Sequence, residues 1–320
     1  MAPSVPRYYP FFDPYRDGDT LSYPSKIGIS LALGGLYMLF QYFVLPDKVT
    51  FFEYYCWVGG AVIATAMLAL YIATDVFRRN IEIIRELEGD GRVSNYVVST
   101  WLSDKWYITT GMIMGITTSV VFTVLGVPAV FFETPASLLG VYAGFFLAGF
   151  TGGMGLHAVI CLLVLYIKFA PSLEHSLDVT TSSGDVGLKK LGDSLWFFAG
   201  LIASVGILES VYLINVPWVN SYLQYVRTLF VAWIAFPYLL AISVVLVPGL
   251  VVRRHVSYFK SHKTRQLKEE KAKLYSSFKK FEAKDDDEII SEKKEINERM
   301  QHIQEQMDRL RDMRNSHLDN

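Results

Sequence analysis

Apolar residues in this chain gather into six runs, at 27–45, 54–74, 107–132, 136–167, 194–216 and 229–252, with polar residues between them. None of the runs alternates residue by residue, so none reads as a strand of a membrane barrel. A helix needs about 20 mainly apolar residues to cross a hydrocarbon layer about 30 Å thick. Each run meets or nearly meets that length. An α-helix also satisfies every backbone N–H and C=O inside lipid. The pattern therefore predicts an all-α, polytopic membrane protein with six transmembrane helices.

Lysine and arginine orient the spans. Arg7, Arg16 and Lys26 precede the first run, and the first loop holds only Lys48. The second loop holds Arg78, Arg79, Arg85, Arg92 and Lys105, and the third holds none. Lys168, Lys189 and Lys190 fill the fourth, Arg227 stands in the fifth, and Arg253 and Arg254 follow the last run. Rich and poor loops alternate, and basic flanks stay on the cytoplasmic side. Both termini are therefore expected in the cytoplasm and the protein in the plasma membrane. Residues 1–26 would be a cytoplasmic N-terminal segment, and 27–252 the membrane domain with a cytoplasmic helical insert at 75–106. Residues 253–320 would form a charged cytoplasmic tail. The first 25 residues are rich in Pro, Tyr and Asp and do not resemble a cleavable leader, so the first run is expected to be retained.

The tail is helix-forming and split by charge. Residues 253–284 carry eleven basic and three acidic side chains, and 285–320 carry six basic and eleven acidic. Ile289, Ile296, Met300, Ile303, Met307 and Leu310 recur at the spacing of a heptad seam. The tail is expected to form a helical hairpin, or a coiled coil with other copies of the chain. Either way those six residues are its candidate interface, and 253–320 the surface for a cytoplasmic protein partner.

Composition narrows the partners further. The chain has 320 residues, 52 % apolar, and a net charge of −1. No bulk field draws it to nucleic acid, and the bilayer is its expected surrounding. Cys56 and Cys161 fall at opposite depths and are too far apart to pair.

Polar groups at membrane depth are the candidate chemistry. Glu209 stands in the fifth run, where a carboxyl is costly and usually faces a bundle interior or water. His157 stands in the fourth. Thr117, Thr118 and Ser119 in the third either line a wet path or bond back to their own helix. Gly149, Gly152, Gly153 and Gly155 interrupt the long fourth run, which reads as close helix packing ahead of a broken, cavity-lining helix. Pro237 and Pro248 are expected to kink the sixth.

No zinc-protease pair, nucleophile elbow or phosphate loop occurs, so no catalytic residue, metal or cofactor is expected. The leading expectation is an oligomeric small-ion channel or pore-like protein regulated by its tail, with Glu209 on the ion path. The alternative is a non-conducting anchor or signalling subunit that docks a partner through the tail. A secondary transporter is third.

Overall fold

The computed structural model describes residues 21–45, 47–88, 91–101, 104–131, 134–172, 183–281 and 287–312, and these are helical with no strand among them. In chain order the helices are α1 (Tyr23–Val44), α2 (Lys48–Glu53), α3 (Cys56–Glu88), α4 (Arg92–Trp101), α5 (Asp104–Leu125), α6 (Pro135–Phe169), α7 (Ser183–Asn215), α8 (Gln224–Phe281) and α9 (Asp287–Asp312). Short 3₁₀ turns occupy Val127–Phe131, Ala170–Ser172 and Val219–Tyr222. Six of the helices, α1, α3, α5, α6, α7 and α8, are long and apolar enough to cross a membrane. They coincide with the six apolar runs, as an integral membrane protein requires.

Helix boundaries and hydropathy boundaries differ. The helical ladder needs only backbone groups and tolerates a change from apolar to charged side chains. So α3 runs on to Glu88, and α8 continues for 58 residues through Pro237, Pro248 and the hydropathy break after Val252. The third run ends as a helix at Leu125, because Gly126 adopts φ +83° and Val127–Phe131 tightens to 3₁₀. α6 starts sharply. Pro135 sits in its first turn, and Thr134 and Ser137 form a reciprocal capping box. The helix then runs unbroken through its six glycines to Phe169.

Four helices close a ring. α3 packs on α7, α7 on α8, α8 on α6 and α6 on α3, while neither diagonal, α6 with α7 or α3 with α8, is a packed pair. α1 lies outside against α3 and α6, α5 lies outside against α6, and α4 packs beneath α6 and α3. One core cluster, including Tyr71, Phe77, Leu162, Tyr166, Phe169, Leu195 and Val256, fills the end of the bundle that carries Lys26 and Asp75. A second, with Phe51, Phe122, Phe145, Leu213 and Val226, fills the opposite end. The outer faces expose Leu31, Leu36, Phe43, Ile113, Leu139, Ile214, Val231 and Leu239. So much exposed apolar surface would be an aggregation liability in water, and in hydrocarbon it is the solvent-matched face.

Beyond the bundle, α9 packs on the distal part of α8. Leu267, Ile303 and Leu310 bury one another there, with Phe259, Leu274 and Met307 against them. Ile296 and Met300 are half-buried. Lys271 Nζ donates to Gln304 Oε1 at 2.8 Å across the same contact. The side chain of Ile289 and the connection 282–286 lie outside the described residues, as does most of the N-terminal segment.

Candidate functional site

The ring surrounds a partly open cavity of about 180 Å³. α3 presents Gly59, Val62, Ala66, Ala69 and Ala73 to it, and α6 presents Gly144, Ala148, Gly152 and Gly155. These residues recur at intervals of three or four, so each set is one helical stripe. All but Val62 end at Cα or Cβ, which is why the ring centre stays open. α7 adds Phe198, Leu201, Val205, Glu209 and Tyr212, and α8 adds Trp233, Phe236, Pro237 and Leu240. Met114, Thr118 and Phe122 of α5 and Tyr37 of α1 complete the wall.

Glu209 is the acidic group of this cavity. Its neighbours Ile207 and Val211 are exposed on the outer face of α7, and the helical turn carries Glu209 to the inner face. Trp233 Nε1 donates a 2.7 Å hydrogen bond to Glu209 Oε1. The other carboxyl oxygen has no partner among the described residues. The remaining polar groups of the wall are largely spent. Thr118 Oγ1 donates to Met114 O at 2.8 Å, and Thr151 Oγ1 to Leu147 O at 2.9 Å. Tyr37 Oη accepts from Gln41 Nε2 at 2.9 Å. The interior is a narrow apolar slot with a single carboxyl.

Gly149, Gly152, Gly153 and Gly155 of α6 divide between two tasks. A Cβ on Gly149 would come within 2.7 Å of Thr118 Cβ, and one on Gly153 within 2.7 Å of Thr110 O, so α5 and α6 touch backbone to backbone here. Gly111 and Gly115 of α5 answer from the other side, against Phe150, Met154 and Phe146 of α6. A Cβ on Gly152 or Gly155 would meet nothing within 4 Å, and both face the cavity. Close packing and cavity lining therefore both occur on adjacent faces of one continuous helix, with Gly149 at their border because it also lines the cavity.

The other polar candidates do not converge on Glu209. The hydroxyls of Thr117 and Ser119 return to Ile113 O at 2.8 Å and Gly115 O at 3.0 Å, with Thr117 on the exposed face of α5. Of that trio, Thr118 alone reaches the cavity wall. His157 faces α4. Its Nε2 lies 2.7 Å from Trp101 O and its Nδ1 3.3 Å from Thr110 Oγ1. A carbonyl can only accept, so Nε2 carries the proton. Cys161 Sγ reaches the same carbonyl at 3.6 Å. This cluster ties the last turn of α4 to α6. Trp233, Tyr37 and the small-residue stripe of α3 are the site residues that sequence reasoning missed. The spacing of Gly59, Val62, Ala66, Ala69 and Ala73 was a readable signal for the last.

No group of three or more His, Cys, Asp or Glu side chains among the described residues is placed to hold a metal ion. In comparisons with protein-family models, curated proteins and solved structures, nothing matches this chain.

Proposed function

We propose that this chain is a multi-pass membrane sensor that binds a small solute beside Glu209 and signals occupancy through α8 to its cytoplasmic tail. One observation carries the reading. The helix whose Trp233 holds the Glu209 carboxyl is the same unbroken helix whose Leu267 packs against α9. An α-helix transmits displacement along its axis, so a ligand that moves Trp233 moves the tail. The alternating basic loops support a topology with both termini inside. The tail is then a cytoplasmic helical hairpin of α8 and α9, offered to a protein partner or to further copies of the chain.

Hydrogen exchange tests the coupling. In lipid nanodiscs, Glu209→Gln and Trp233→Phe should each change amide protection within 253–281, and Glu82→Gln on the surface should not. A tail that exchanges identically in all four proteins overturns the sensor reading.

The second reading is an ion path, which the intramembrane carboxyl of Glu209 favours. It requires cation flux into liposomes that Glu209→Gln reduces. The bonded hydroxyls of α5 and the apolar cavity wall weigh against it as a continuous wet route through one chain.

A further inference from the structure

We propose that the Glu209 cavity takes an amphipathic primary amine, with its ammonium head at Glu209 and a slender apolar body along the slot. The inference rests on the reading of this cavity as the ligand site.

Two acceptors define the head. Glu209 gives one oxygen to Trp233 at 2.7 Å and leaves the other for a ligand. A second acceptor stands nearby. Pro237 has no N–H, so the carbonyl of Trp233, four residues earlier in α8, lacks its usual helical donor. The ring of Pro237 lies against α7, where a Cβ on Gly206 would come within 2.9 Å of it. The freed carbonyl is therefore on the face of α8 turned toward α7 and Glu209. A carboxylate on α7 and a freed carbonyl on the facing side of α8 call for a group that donates. An alkylammonium has three N–H donors and no acceptor. Tyr212, Trp233 and Phe236 supply aromatic surface around it, a further attraction for a cation.

The body follows from the rest of the wall. A bare metal ion takes about six oxygen ligands. This cavity is too apolar for that, and its two threonine hydroxyls already donate to helix carbonyls. The lining runs from Gly59 to Ala73 on α3 and from Phe198 to Tyr212 on α7, about 21 Å at 1.5 Å per residue. A volume of about 180 Å³ spread over that length is a slot one hydrocarbon chain wide. Glu209 lies near one end of it. An alkyl chain starting at Glu209 would run past Gly152 and Gly155 toward Phe198.

Equilibrium binding of radiolabelled n-octylamine and 1-octanol to the full chain in zwitterionic nanodiscs, with binding to empty discs subtracted, tests this. The wild type is expected to bind the amine saturably and about tenfold or more tighter than the alcohol. Glu209→Gln should abolish that preference while alcohol binding persists. Gly152→Leu, which fills the slot, should remove both, with helical content and a monodisperse particle retained in each variant. Equal binding of amine and alcohol by the wild type, or amine binding unchanged in Glu209→Gln, overturns the ammonium proposal and leaves the cavity as a ligand site. Binding of neither probe by the wild type overturns both.

Discussion

Lys26 Nζ lies 2.7 Å from Asp75 Oδ2, with the lysine side chain 1 % exposed and the aspartate 14 %. The first turn of α1 is thereby tied to α3 at the end of the bundle where α3 leaves its apolar stretch. Arg78 Nη1 stands 3.9 Å from the other carboxylate oxygen, so the aspartate has a second, weaker cation. Stranding one member of a shielded pair costs about 3–5 kcal/mol. With Arg78 in reserve, Lys26→Met should fall at the low end of that range. The double variant Lys26→Met/Asp75→Leu should recover most of the loss, because it removes both desolvated charges. Equilibrium unfolding in mixed micelles measures both. A single variant as stable as the wild type would show that the pair does not hold α1.

The two glycine faces of α6 predict opposite outcomes for similar substitutions. Gly149→Ala puts a methyl group against Thr118 Cβ and Met114 O. Overpacking of this kind costs about 1–3 kcal/mol, and here the obstacle includes backbone. Gly152→Ala adds the same methyl group to open space and removes a flexible residue from a helix interior, a gain of about 0.5–1 kcal/mol. The same unfolding assay should rank Gly152→Ala at or above wild type and Gly149→Ala clearly below it. The reverse order would mean that α5 and α6 do not meet through Gly149.

What could be read from the residues was the part governed by solvent. Six apolar runs gave six membrane-length helices because lipid imposes both length and helicity. The polar sites were harder, because a residue's cost at membrane depth says nothing of the direction it faces. Thr117, Thr118 and Ser119 are one hydroxyl cluster in sequence, yet 100° per residue around α5 sends Thr118 inward and Thr117 outward. His157 stands on the other side of the midplane from Glu209 and bonds a backbone carbonyl, that of Trp101 in α4. Glu209 itself was legible, but its partner Trp233 was not, since 24 residues separate them and the α7–α8 pairing that joins them is a tertiary fact. The tail seam was legible at Ile303 and Leu310, whose seven-residue spacing puts both on the buried face.

His157 links α6 to the last turn of α4 through Trp101 O at 2.7 Å. His157→Ala leaves that carbonyl with only the long contact from Cys161 Sγ at 3.6 Å and opens a gap beside Tyr107, whose ring centre lies 6.2 Å from the imidazole. An unmet buried acceptor costs about 1–3 kcal/mol. The loss should be local, with faster amide exchange in α4 and little change in the binding of any ligand at Glu209. His157→Asn, which keeps an N–H donor, should restore part of the protection. Unchanged exchange in α4 in the alanine variant would separate the histidine from any role in holding that helix.

The contact of α9 with α8 predicts a variant that frees the tail without touching the bundle. Ile303 is 5 % exposed and packs with Leu267 and Leu310, at 4 % and 2 %. A carboxylate at position 303 would enter an apolar cluster with no cation buried beside it, so Ile303→Asp should release α9. Limited proteolysis should then cut within 287–312, and amide protection there should collapse while the apolar stretches of the six long helices keep theirs. Lys271→Ala, by contrast, removes an exposed hydrogen bond to Gln304 and should change stability by less than about 1 kcal/mol. Because this seam forms within one chain, the mass of the Ile303→Asp particle should equal that of the wild type. A drop in particle mass would reassign the seam to contacts between copies, with Leu267 of one chain meeting Ile303 of another.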